Sequence, residues 1–157
     1  MKIEIDLPKQ ELTLRDGTRV LKKYSVSTAR RGAGEKNGSF CTPRGSHIVR
    51  AKIGTGQSLN AVFVRRRPTG EIWTPELNAK HPGRDWMLTR IPWLSGCEPG
   101  KNRLGEVDTM RRYIYIHGSP ETAQMGKPGS IGCVRMRNRD ILELFDRVAP
   151  YTEVEIR

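Results

Sequence analysis

Apolar residues in this chain recur mostly at every second position, in short runs broken by glycine and proline. That pattern leaves room for little besides a β-rich fold. Ile3, Ile5 and Leu7 alternate with charged or polar neighbours, and Glu11–Arg15 repeats the period. Asp16-Gly17 is a strong hairpin signal, and Arg19–Val26 supplies the returning strand. The chain therefore opens with an antiparallel meander. The 16 glycines and 10 prolines are scattered through it, which suits many short strands better than a helical bundle. With 157 residues, it is expected to form one domain, residues 1–157.

Further along, residues 30–45 read as a loop, and Ser46–Lys52, Ala61–Arg66 and Glu71–Thr74 as strands. Residues 75–110 resist assignment. Four prolines interrupt them, while Trp86, Met87, Leu88, Ile91, Trp93 and Leu94 are apolar. Such a stretch is either the wall of a functional cleft or a cap on the core. Arg111–His117 carries the clearest strand pattern, with Ile114 and Ile116 on one face and Tyr113, Tyr115 and His117 on the other. Asn138 reads as a helix N-cap, followed by Ile141, Leu142, Leu144, Phe145 and Val148 at helical spacing and a stop at Pro150. Residues 152–157 alternate again as a closing strand.

No run approaches the roughly 18 apolar residues of a membrane span. The alternating N-terminal residues do not read as a signal peptide, so the expected location is cytoplasmic, or periplasmic if a leader was trimmed. Lys and Arg outnumber Asp and Glu by 28 to 17, a net +11, which attracts anions. Most of these basic residues, Arg65-Arg66-Arg67 included, read as solvated surface. A nucleic-acid-binding module is a remote alternative. It would use the same charge, but only 6% of residues are aromatic and no recognisable binding motif accompanies them.

Three cysteines, Cys41, Cys97 and Cys133, form no disulfide framework. With the three histidines they form no pair of closely spaced ligand couples, so no metal is expected. The constellation that could carry chemistry is His117 with Cys133. His117 ends a strand, and Cys133 follows the glycine-containing stretch Pro128-Gly129-Ser130-Ile131-Gly132. Glycines before a cysteine let backbone N–H groups approach a carbonyl oxygen. An adjacent imidazole, helped by Arg135 and Arg137, would favour a nucleophilic thiolate. Spacing alone leaves a buried structural cysteine and an ordinary strand-end histidine as the alternative.

His117-Gly118-Ser119, then Ser130-Ile131-Gly132-Cys133-Val134-Arg135-Met136 with Asn138 and Asp140, resembles the L,D-transpeptidase catalytic domain of the YkuD type. Thr42-Pro43-Arg44-Gly45 resembles that family's weaker upstream motif, and the likeness extends over nearly the whole chain. It implies a mainly β fold, a β-sandwich or open barrel with one or two short helices. It implies Cys133 as the nucleophile that carries a thioester and His117 as the general base. The Gly118 carbonyl would orient the imidazole. Gly132 and Cys133 N–H groups would form an oxyanion hole, and Arg135 and Ser130 would line the substrate groove. The implied substrate is the peptidoglycan tetrapeptide stem, cut between the L-centre of its third residue and the terminal D-alanine. Water as acceptor would make an L,D-carboxypeptidase acting on muropeptides, the outcome favoured by a cytoplasmic setting. An amine acceptor would give cross-links or D-amino-acid exchange. No cofactor is implied, and a monomer is expected. Carbapenems are expected to acylate Cys133. The chain departs from the family pattern in three places. Ile131 stands where histidine is usual, Arg135 where asparagine is frequent, and only twelve residues separate His117 from Ser130.

Overall fold

The computed structural model describes residues 1–157. Strands dominate, in two sheets. The opening meander is β1 (Lys2–Asp6), β2 (Glu11–Asp16) and β3 (Arg19–Ser25). The hairpin between β2 and β3 pairs Asp16 with Arg19 across a tip in which Gly17 adopts φ +60°. The closing strand β11 (Glu153–Ile156) lies parallel to β1, and β4 (Gly45–Ile53) pairs antiparallel with β11. β8 (Ile91–Gly96) completes the order β3-β2-β1-β11-β4-β8.

The second sheet has the order β10-β9-β7-β5-β6. Its strands are β5 (Ala61–Val64), β6 (Arg67–Ile72), β7 (Met87–Leu88), β9 (Ile116–Ser119) and β10 (Val134–Arg137). β9 and β10 run parallel, with Arg135 opposite His117. The two sheets meet at a seam. Trp93 of β8 bridges to Tyr115, and the Leu94 N–H donates to the Ile114 carbonyl at 3.1 Å. This join leaves the open-barrel character expected of the sequence and puts the start of β9 on the boundary between sheets.

The alternation that identified the outer strands also builds the core. Ile3, Ile5, Leu12, Leu14, Val154 and Ile156 point inward from the first sheet. They pack against Ile116, Val134, Met136 and the helix α2 (Asn138–Arg147), which contributes Ile141 and Leu144. Each such side chain stabilises the fold by about 1.5–3 kcal/mol through burial. A six-residue helix α1 (Pro75–Lys80), capped by the Thr74 hydroxyl on the Leu77 N–H, packs Leu77 against Trp73, Trp86, Val62 and Leu88.

Three local expectations need correction. Arg111–Tyr113 is turn, and the strand begins at Ile116, because Tyr113 adopts φ +58° and its N–H closes a turn on the Met110 carbonyl. The face assignment survives this: Ile114 and Ile116 enter the core, while Tyr113, Tyr115 and His117 turn to the other side. Asn138 is the first helical residue, preceded by Arg137 as N-cap. Its side chain is held elsewhere, accepting from Thr89 Oγ1 at 2.7 Å and donating to Asn60 Oδ1 at 2.5 Å. The third expected strand, Glu71–Thr74, lies earlier as β6, so Arg65 and Arg66 become a hairpin tip.

Candidate active site

A cleft of about 710 Å³ opens at the seam, and His117 and Cys133 both line it. β9 delivers His117, and the residue before β10 is Cys133, so parallel pairing of two adjacent strands brings the two into one site. Residues 75–110, read from sequence as either a cleft wall or a core cap, do supply part of the wall, through Asp85 and Met87. Of the rest, Ile91 and Leu94 enter the core, Trp93 forms the seam, and most of residues 97–107 are exposed loop.

The loop presenting Cys133 is held from three sides. Ser27 and Arg135 exchange backbone hydrogen bonds at 2.9 and 2.8 Å, and Arg30 donates to the Ser130 carbonyl at 2.9 Å. Thr42, fully buried, donates its hydroxyl to the Gly132 carbonyl at 2.9 Å and accepts from the Ala29 N–H at 3.0 Å. Thus the upstream Thr42-Pro43-Arg44-Gly45 segment braces the loop that presents Cys133. Gly132 adopts φ +138°, where an L side chain is strained, and a Cβ there would press on Ile114 at 3.1 Å.

Ser130 does not reach the groove as the resemblance implied. It is buried, donates to the Cys133 carbonyl at 2.6 Å and accepts from the Gly132 N–H at 3.2 Å. Gly132 is thereby withdrawn as an oxyanion donor, and the Cys133 N–H, which has no backbone or side-chain acceptor, remains available. Arg135 stands beside the cleft with its guanidinium on Asp85 Oδ1 at 2.5 Å, so an internal carboxylate already occupies it.

The Cys133 thiol is half-buried. It accepts from the Tyr115 N–H at 3.3 Å and lies 3.4 Å from the Tyr113 carbonyl, to which it donates. Burial pushes its pKa up to about 12; the Tyr115 N–H, Arg135 and Arg112 oppose this only in part, and Asp85 adds to it. His117 is buried, and that burial lowers its pKa. Its Nδ1 lies 2.6 Å from the Gly118 carbonyl. A carbonyl only accepts, so Nδ1 carries the proton and the neutral ring has its lone pair on Nε2, which bonds to no protein group. Gly118 permits this closeness, since a Cβ there would meet the Leu88 carbonyl at 2.6 Å and the Asn138 amide. The resting site holds a neutral thiol and a neutral imidazole in one cleft, with no hydrogen bond between them.

The cleft is cationic. Arg65, Arg66 and Arg112 line it, with Asp85 as the only carboxylate. Arg112 ties the 34–41 loop to the site through the carbonyls of Gly34 and Cys41, at 3.2 and 2.6 Å. Arg66 lies over the rings of Trp93 and Tyr113 at 4.5 and 5.0 Å and donates to Tyr115 Oη at 2.9 Å. The solvated-surface reading of this arginine run is therefore wrong for Arg66. The exposed Ile131 adds an apolar patch to the wall.

The family model of the L,D-transpeptidase catalytic domain, YkuD, matches residues 1–156. The chain belongs to that family. A Salmonella typhimurium protein described as a probable L,D-transpeptidase, ErfK/SrfK, is 31% identical over 73% of this chain, which spans 39% of that relative's length. A YkuD-type relative from Bacillus licheniformis is 44% identical over a shorter stretch, 29% of this chain and 28% of its own. Solved L,D-transpeptidases share the fold. The one from Xylanimonas cellulosilytica covers 99% of this chain and 59% of its own at TM-score 0.56 and 21% identity. The Enterococcus faecium enzyme covers 99% and 49% at TM-score 0.59 and 16% identity. This L,D-transpeptidase-type domain thus holds His117 and Cys133 in one cleft.

Proposed function

We propose that the domain is a cysteine acyl-enzyme that trims peptidoglycan tetrapeptide stems, acting as an L,D-carboxypeptidase on muropeptides. The observation that carries this reading is the shared cleft of Cys133 and His117, with Nδ1 fixed on the Gly118 carbonyl and Nε2 free. In the proposed reaction the thiol proton passes to Nε2 as sulfur attacks the carbonyl of the third stem residue. The developing oxyanion accepts from the Cys133 N–H. His117 then protonates the departing D-alanine amine, leaving a thioester. Water, deprotonated by the same Nε2, releases the tripeptide and restores the thiol.

The high thiol pKa supports concerted proton removal by His117 over a preformed thiolate. The cationic cleft supports a carboxylate-bearing donor and water as acceptor, since three guanidinium groups repel an approaching ammonium. The test is mass spectrometry of a disaccharide-tetrapeptide incubated with the protein, with and without excess D-methionine, using Cys133→Ala as control. Tripeptide in both samples is the expected result. A D-methionine product or a dimer would instead make the domain a transpeptidase, and no change would reject acyl transfer.

A further inference from the structure

The tip of the β5–β6 hairpin is built in an uncommon way. Val64 pairs with Arg67, so Arg65 and Arg66 are the two loop residues, with φ +49° and +66°. Two-residue hairpins with positive φ at both positions ordinarily use Asn-Gly or Gly-Gly. Two arginines there hold a strain that glycine would relieve, and such outliers cluster at functional sites.

The strain has a visible product. Arg66 is aimed back over the cleft, its guanidinium face on Trp93 and Tyr113. One N–H is fixed on Tyr115 Oη, and no carboxylate of the protein pairs with the group. An arginine offers five N–H donors in a plane. Stacking fixes that plane and leaves its remaining edge open, the arrangement that receives a carboxylate through two parallel hydrogen bonds. The same Tyr115 gives its backbone N–H to Cys133 Sγ, so Arg66 stands one tyrosine side chain from the nucleophile. The carboxylate one residue beyond a scissile carbonyl lies about 3.8 Å of chain further on. That is compatible with such a spacing.

We propose that Arg66 is the specificity residue for the donor peptide, binding the α-carboxylate of its terminal residue. The assignment rests on the acyl-enzyme reading for the identity of the peptide, but binding tests it without turnover. In Cys133→Ala protein, calorimetry compares a tetrapeptide bearing a free C-terminal carboxylate with its C-terminal amide. The free acid should bind about tenfold tighter or more, as expected for a charge-assisted bidentate pair. Arg66→Gly, which suits the positive φ and should keep its melting temperature, should lose that preference, and Arg66→Lys should retain a fraction of it. Arg65→Gly, which removes the same charge one residue away, should keep most of it. Equal binding of acid and amide, survival of the preference in Arg66→Gly, or equal loss in Arg65→Gly would overturn the assignment. Tripeptide production by the native protein is measured separately, so absent turnover with intact discrimination would reject the acyl-transfer reading alone.

Discussion

Two histidines of this domain are buried almost completely, and only one of them stands in a cleft. His47, on β4, has Nδ1 2.9 Å from the Gly45 carbonyl and Nε2 3.0 Å from Thr109 Oγ1. His117, on β9, has the same kind of Nδ1 anchor on the Gly118 carbonyl. Both anchors fix the proton on Nδ1, and burial lowers both pKa values, that of His47 to about 4. What separates them is Nε2. In His47 it accepts from a threonine inside the fold; in His117 it meets no protein group and borders the space that also holds Cys133. Burial and an anchored tautomer therefore do not by themselves make a base. What His117 adds is a lone pair left open to the cleft that also holds Cys133, which the proposed base role requires.

The largest effect expected from this contrast is on turnover. His117→Gln should lower kcat by about 10²–10⁴ with little change in melting temperature, the range for removal of a general base. His47→Gln should do the reverse, losing about 1–3 kcal/mol of stability through unmade buried hydrogen bonds while folded molecules keep their kcat. Parallel steady-state kinetics and thermal melts would show equal losses in kcat if the contrast is false.

Resting reactivity comes next. With the thiol pKa near 12, Cys133 should be alkylated by iodoacetamide at pH 8.5 about tenfold more slowly than free cysteine, or slower still. Peptide mapping of the alkylated sites reads this directly. A rate limb centred near pH 8.5 would mean that burial does not govern the thiol.

A pH dependence of stability follows from His47. Its folded pKa lies below the ordinary 6.5, so the unfolded chain takes up the proton first. Stability from this group is complete above pH 6.5 and falls as pH drops toward 4, by about 3 kcal/mol in all. Urea melts across that window should show the loss, and His47→Gln should reduce it; an unchanged slope would argue against a buried neutral ring.

The smallest effect is on the brace. Thr42→Val removes the hydrogen bond to the Gly132 carbonyl and that from the Ala29 N–H, costing about 1–3 kcal/mol. It should lower kcat more than it changes KM, because the nucleophile loop loses its rear support. A change confined to KM would place Thr42 in substrate contact instead.

The regions read correctly from sequence are those whose partners lie close by or whose pattern suffices. β1, β2, β3 and β11 follow from alternation, and α2 from helical spacing ended before Pro150. His117 and Cys133 were singled out by the compact motif around them, and the fold brings both into one cleft. Residues 75–110 were not, because β7 and β8 are short pieces whose pairing depends on β5, β9 and the distant β4. Tyr113 belonged to a strand-like run but is held in a turn by local hydrogen bonds that alternation does not register. Arg66 looked like one member of a solvated cluster because the rings that seat it, Trp93, Tyr113 and Tyr115, come much later in the chain. Ser130 and Gly132 were identified as important, yet the hydrogen bond between them, which changes their roles, exists only in the folded loop.

The most direct measurement of the central claim is intact-protein mass spectrometry after exposure to a carbapenem. A single adduct on Cys133 is expected in the native protein and in His47→Gln, much slower acylation in His117→Gln, and none in Cys133→Ala. No adduct on the native protein, or the same adduct on Cys133→Ala, would contradict the assignment of Cys133 as nucleophile and His117 as its base.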